Sequence, residues 1–216
     1  MTANTDNVLL LHGLWMTGME LGTLGNRLRD QGFRTSTFRY PSVRGRVEEN
    51  ADRLGALLSE SHAEPTHLVC HSLGGVVALR MLQRHPAARV GRVVALGSPF
   101  QGSYVAQRLS DWPGGRWLFG HSLDGALGSS SQGLGVPDGR EVGVIAGDHA
   151  FGSGVFFGLE KPNDGVVSVA ETHLPGVLDS LRVSTFHMGL IFSEEVSEQV
   201  GCFLRHGRFD TGRGAG

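Results

Sequence analysis

The stretch Leu68-Val69-Cys70-His71-Ser72-Leu73-Gly74-Gly75 decides how the rest of the chain is read. Thr66 to Cys70 is a short apolar run of β type. From Gly74 to Arg84, Val77, Ala78, Met81 and Leu82 recur at helical spacing. Ser72 stands at the junction, two residues before a glycine. A chain that passes from strand to helix so abruptly must turn sharply, and the turn pushes the serine hydroxyl out beyond the C-terminal edge of a sheet. Small neighbours are needed there because the turn crowds the helix against the strand. The pattern is Gly-x-Ser-x-Gly with Cys70 in the first glycine's place, and cysteine is small enough for the turn.

Outward from this elbow, strand and helix patterns alternate. Val8 to Leu11 is a continuous apolar run ending at His12-Gly13 and reads as a buried parallel strand. Met19 to Gln31 carries Leu21, Leu24 and Leu28 on one face and stops at Gly32, which predicts a helix. Phe33 to Phe38 reads as a strand broken by Tyr40-Pro41. Val47 to Glu60 reads as a helix with Val47, Ala51, Leu54 and Leu58 on one stripe. Beyond the elbow helix, which ends at His85-Pro86, strands are predicted at Val90–Leu96, Glu141–Ala146 and Ser180–Thr185. An amphipathic helix is predicted at Glu194–Arg205, with Val196, Val200, Phe203 and Leu204 facing inward. Short apolar strands alternating with helices predict an α/β fold: a three-layer α/β/α sandwich around a mostly parallel six-stranded sheet.

Residues 1–207 are expected to form a single domain, which suits a chain of 216 residues. Residues 103–140 interrupt the alternation. They are rich in Gly and Ser, with helical scraps at Tyr104–Leu109 and Gly115–Phe119 and a loop at Gly128–Gly135. Such an insertion either shapes or covers a site, or is a surface excursion at one edge. Residues 208–216 read as a flexible polar tail.

Composition narrows the function classes. The formal net charge is −2, and no basic patch or charged tail stands out, which argues against a nucleic-acid partner. Glycine fills 33 of 216 positions, about twice its ordinary share, as a chain with many tight turns and close backbone approaches requires. Cys70 and Cys202 read as small buried hydrophobes and imply no disulfide framework. No apolar run is long enough for an integral membrane segment. Met1 to Asn7 lacks the basic and apolar regions of a secretory leader, so the cytoplasm is the expected location. The oligomeric state is not legible.

A serine hydroxyl is a weak nucleophile at neutral pH. It needs a base, the base needs an orienting acid, and acyl chemistry needs donors for a developing oxyanion. Candidates for each lie just beyond a predicted strand, where open α/β sheets carry their sites. The base candidate is His187, in Ser184-Thr185-Phe186-His187-Met188-Gly189. His12 and His71 flank the elbow but lie within its turns, where a packing or backbone-bonding role suits them better. The acid candidate is Asp164, in Pro162-Asn163-Asp164-Gly165-Val166-Val167, with Asp148 as its competitor directly after the fifth strand. Both carboxylates stand between Ser72 and His187, so chain order admits either, and it is the family-like context Asn163-Asp164-Gly165-Val166-Val167 that favours Asp164. Leu73 N–H, at a helix N-terminus, and Leu14 N–H, in the glycine-containing loop after the first strand, are the oxyanion-donor candidates. Trp15, Phe100 and Met188 lie beside these landmarks as candidate substrate contacts.

Leu11-His12-Gly13-Leu14, Cys70-His71-Ser72-Leu73-Gly74-Gly75, Gly97-Ser98-Pro99-Phe100-Gln101-Gly102-Ser103, Asn163-Asp164-Gly165-Val166-Val167 and His187-Met188-Gly189-Leu190 resemble the successive landmarks of α/β-hydrolase-fold lipases and esterases. From His187 through Leu204 the chain is similar to the C-terminal end of compact, lidless bacterial lipases. The resemblance implies a minimal α/β-hydrolase fold, a Ser72–His187–Asp164 triad, Leu14 and Leu73 as oxyanion donors, and no metal or cofactor. It implies a serine hydrolase acting on a small-molecule acyl ester or lipid. A thioesterase or acyltransferase using the same triad, and a non-catalytic binding protein on a hydrolase scaffold, remain as alternatives.

Overall fold

The computed structural model describes residues 6–60, 65–111, 133–151 and 158–210. Six strands form one sheet: β1 (Asn7–Leu11), β2 (Arg34–Phe38), β3 (Thr66–His71), β4 (Val90–Leu96), β5 (Val142–Gly147) and β6 (Asp179–Val183). Their order is β2-β1-β3-β4-β5-β6, and every neighbouring pair is parallel. The mostly parallel sheet expected from the sequence is thus parallel throughout. Among the described residues, the helices are α1 (Gly22–Asp30, led by a 3-10 turn at Met19–Leu21), α2 (Val47–Glu60), α3 (Leu73–Arg84), α4 (Tyr104–Ser110), α5 (Gly189–Phe192) and α6 (Glu194–His206).

Burial follows strand position. The interior strands β3 and β5 are covered on both faces, and β5 is buried at every residue. The edge strands β2 and β6 alternate between exposed or half-buried and better-covered positions, as strands with one solvated flank do. Two apolar layers sandwich the sheet. One joins Leu54 and Leu58 of α2 and Val77 and Met81 of α3 to Leu9, Leu11, Leu68 and Cys70. The other joins Leu24 and Leu28 of α1 and Val200 and Phe203 of α6 to Val8, Leu10, Val69, Val94 and Ile145. Each such side chain contributes roughly 1.5–3 kcal/mol on full burial. Helix α6 is well specified at both ends. Ser193 accepts the Val196 N–H at its start, Glu194 and Glu195 occupy its first turn, and Gly207 (φ 70°) closes it through its N–H to the Phe203 carbonyl.

One expectation needs correction, and one helix is added. The flexible tail does not begin at Arg208: Phe209 is buried on Phe203, with ring centroids 4.9 Å apart, and its N–H donates to Asp179 Oδ2 at 2.8 Å. The chain also forms α5, a four-residue helix too short to show a period in sequence. The helical turn expected at Gly115–Phe119, most of the Gly128–Gly135 loop and the end of the tail lie outside the described residues. Among the described residues, no helix is long and apolar enough to cross a membrane.

The order of the strands fixes where a site can form. From β1 the chain crosses outward to β2 and then back over β1 to β3. The crevice beyond the C-terminal ends of β1 and β3 is the switch point at which open parallel sheets bind ligands. Gly13 and Ser72 lie there.

Candidate active site

Ser72 follows the last residue of β3 and precedes the first residue of α3, with φ 54° and ψ −121°. That conformation is the mirror image of one that L-residues favour, and it is ordinarily left to glycine. The strain is held from several sides. Ser72 N–H donates to the Leu96 carbonyl at 2.9 Å, and the Ser72 carbonyl accepts Gly75 N–H at 3.1 Å. Gly74 makes the crowding possible, since a Cβ there would stand 2.7 Å from the Leu11 carbonyl oxygen and 2.9 Å from that of His12. Cys70 is fully buried in the strand, its thiol pushed far up by burial.

The loop after β1 presses on the elbow. A Cβ on Gly13 would lie 3.1 Å from Ser72 Cβ. This loop is fastened from behind. His12 stacks on Tyr40 with centroids 4.3 Å apart, its Nδ1–H donates to the Gly13 carbonyl at 2.9 Å, and Tyr40 OH donates to the His12 carbonyl at 2.5 Å. Burial holds the His12 imidazole below its ordinary pKa, consistent with this packing role. Trp15, at φ 59°, is the other non-glycine residue with positive φ among the described residues, and its side chain is 52 % exposed at the mouth of the crevice.

His187 lies in the turn between β6 and α5. Its Nδ1 is 2.7 Å from Asp164 Oδ2, and its backbone N–H donates to the Asp164 carbonyl at 2.9 Å. With the Nδ1 proton in that bond, Nε2 carries the free lone pair. Asp164 is buried, and its second oxygen, Oδ1, accepts Val166 N–H at 3.0 Å and Val167 N–H at 2.8 Å. The loop bearing it is held by Asn163, whose Oδ1 accepts Gly165 N–H and whose Nδ2 donates to the Leu159 and Glu160 carbonyls. Gly97, at the end of β4 with φ 57°, clears the space behind the pair. A Cβ there would lie 3.1 Å from both Asp164 Oδ2 and His187 Nδ1. Asp148, the competing acid, follows β5 and gives its N–H to the Val183 carbonyl.

Ser72, His187, Leu14 and Leu73 line one cleft of about 230 Å³. Trp15 and Met188 line it too. Phe100 does not: it is fully buried in the core against α3, because the turn after Ser98 carries it inward. The remaining walls escaped the sequence reading. They include Val166 and Val167 beside the acid, and Val105, Ala106 and Leu109 of α4. Helix α4 is the helical stretch expected at Tyr104–Leu109, started by Ser103, whose Oγ accepts Ala106 N–H. Glu171 was also missed. Its Oε1 accepts Tyr104 N–H at 2.6 Å and its Oε2 accepts Ser168 N–H at 2.7 Å, tying the α4 wall to the Asp164 loop. Burial raises the Glu171 carboxyl's pKa against the pull of these donors. Among the described residues, no group of three His, Cys, Asp or Glu side chains is placed to share a metal ion.

No curated protein matches the chain by sequence. Among solved structures, it is similar to the mature form of the Bacillus licheniformis lipase BlEst2, at 19 % identity and a TM-score of 0.79 over 95 % of this chain and 93 % of that one. It is also similar to a metagenomic carboxyl esterase (18 % identity, TM-score 0.72, 87 % of this chain and 66 % of that one). The Bacillus subtilis carboxylesterase CesB is a third, at 16 % identity and a TM-score of 0.59 over 94 % of this chain and 84 % of that one. At these identities the likeness is one of fold. Residues 8–186 match the sequence profile of the alpha/beta hydrolase family, and the chain belongs to that family.

Proposed function

We propose that this protein is a serine hydrolase that cleaves carboxylic esters through an acyl-enzyme, with Ser72 as nucleophile, His187 as base and Asp164 as its orienting acid. One arrangement carries the reading. A serine held at φ 54° shares a cleft with a histidine whose far nitrogen is bound, at 2.7 Å, to a buried carboxylate. A packing role for Ser72 has no use for such strain, which typically costs ~1–3 kcal/mol and persists where the surroundings impose it.

In this mechanism Ser72 Oγ attacks the ester carbonyl carbon as His187 Nε2 takes the hydroxyl proton. Asp164 keeps the other nitrogen protonated and stabilises the imidazolium. The tetrahedral oxyanion is held by the N–H groups of Leu14 and Leu73. Leu73 is the first residue of α3, where a helix leaves its N–H groups unpaired and its dipole favours negative charge. The intermediate collapses with cleavage of the bond to the alcohol oxygen, which takes the proton from His187. Water, deprotonated by His187, then attacks the acyl-enzyme and releases the carboxylic acid and free Ser72. The described lining holds no Asp, Glu, Lys or Arg side chain, so the cleft suits an uncharged ester with an apolar acyl part, flanked by Trp15 and Met188.

The test is hydrolysis of p-nitrophenyl esters of graded acyl length, alongside the matching acyl thioesters, by the wild type and by Ser72→Ala. Ester turnover that falls at least about a thousandfold in the variant is the expected outcome. Ester turnover that survives the substitution overturns the proposal, and faster thioester cleavage moves the substrate class.

A further inference from the structure

We infer that His71 is a positioning residue for the proposed base: its imidazole ties the elbow that carries Ser72 to the backbone of His187. The inference rests on the assignment of His187 as base. His71 is the last residue of β3, so its backbone leads directly into the elbow, while its side chain reaches the loop after β6. Its Nε2–H donates to the His187 carbonyl at 3.2 Å, and the two rings lie 4.7 Å apart at 47°. It is 2 % exposed, and its Nδ1 has no partner, standing 3.2 Å from where a Cβ on Gly13 would be. One residue therefore joins the strand that leads into the nucleophile's elbow to the base's backbone, with its Nδ1 beside the loop that carries Leu14.

His187 is otherwise gripped mainly from the acid's side, through its N–H and its Nδ1 to Asp164. Those bonds fix the ring relative to Asp164 but not relative to Ser72, which belongs to another strand. The His71 bond supplies that second reference. Histidine suits the task as a rigid, uncharged donor. Burial first, and then the charge of His187, hold its pKa down to about 3, so the ring is neutral and no positive charge competes with an imidazolium at His187. The carbonyl acceptor in front of Nε2 places the one ring proton there.

The experiment compares His71→Leu, His71→Gln and His71→Asn in the full chain. The readouts are kcat and KM on p-nitrophenyl butyrate, the downfield proton resonance of the His187 Nδ1–H, and stability to urea. In His71→Leu, kcat is expected to fall about tenfold, the worth of one neutral hydrogen bond, with KM unchanged and the downfield resonance weakened. Glutamine restores both, because its amide nitrogen reaches the place of Nε2. Asparagine does not, because its nitrogen falls at Nδ1. Wild-type kcat and resonance in His71→Leu overturn the inference. So do equal losses in all three variants that track their stability, which would make His71 a packing residue. If Ser72→Ala and His187→Ala are inactive, either result ends this inference alone. If those two variants keep their activity, the triad reading fails as well.

Discussion

Ser72→Gly and Ser72→Ala both remove the hydroxyl, yet they should differ in stability in the direction opposite to ordinary experience. Alanine keeps a Cβ at φ 54° and ψ −121°, so it keeps the strain; glycine adopts that conformation freely. Relief of a residue held in so sparse a region is worth about 1–3 kcal/mol. Glycine returns about 0.4–1 kcal/mol of this through its greater freedom in the unfolded chain. The balance favours Ser72→Gly over Ser72→Ala by about 0–2.6 kcal/mol, which for a 216-residue chain is up to about 10 °C in Tm. Denaturant unfolding of the two proteins, both expected to be inactive on esters, measures the difference directly. If alanine proves the more stable of the pair, the elbow is not strained as described, and the argument that the fold sustains that strain for catalysis falls.

Asp164→Asn should lower kcat by roughly 10⁴ while the protein stays folded, read from p-nitrophenyl ester kinetics and circular dichroism. An amide cannot accept from Val166 and Val167 and from His187 together, so its NH₂ either opposes those backbone donors or forces the wrong tautomer on His187. Gly74→Ala would bring a Cβ to 2.7 Å from the Leu11 carbonyl oxygen; it should cost about 1–3 kcal/mol in urea unfolding. By pushing the Gly13-Leu14 loop off the elbow it should also cost about 10² in kcat, as the loss of an oxyanion donor does. Acid stability carries a fourth expectation. The unfolded chain protonates His71 near its ordinary pKa of 6.5, whereas the folded chain does so only near 3. The stability that this gives is complete above pH 6.5 and is lost as pH falls from 6.5 toward 3, at no more than about 1.4 kcal/mol per pH unit. His71→Gln should therefore lose stability less steeply than the wild type over that window in urea midpoints, and parallel slopes would contradict it. His12 and His67, also held below their ordinary pKa by burial, contribute alike to both chains.

The sheet was legible because its central strands are continuous apolar runs, each ended by a glycine or a turn. The helices were legible where a stripe such as Val47, Ala51, Leu54 and Leu58 persists for several turns. The meeting of Asp164 with His187 was suggested by chain order and family resemblance; their separation of 2.7 Å is a product of the fold, since β5 and β6 bring the two loops to the same rim. What stayed hidden depends on packing between distant segments. Phe100 looked like a rim residue by its nearness to Gly97 and Ser98, but the turn directs it into the core. Phe209 looked like part of a tail, yet a single aromatic ring is enough to dock it on Phe203. The α4 wall and its tie through Glu171 join residues 104 and 171, a pairing that no local period encodes.

Mass-spectrometric mapping of the adduct formed by a fluorophosphonate probe tests the central claim most directly. The expected result is a single phosphonyl group on Ser72 in the folded wild type, forming far more slowly in His187→Ala and Asp164→Asn. Ester hydrolysis by a protein that the probe leaves unlabelled, or labels elsewhere, would contradict the account.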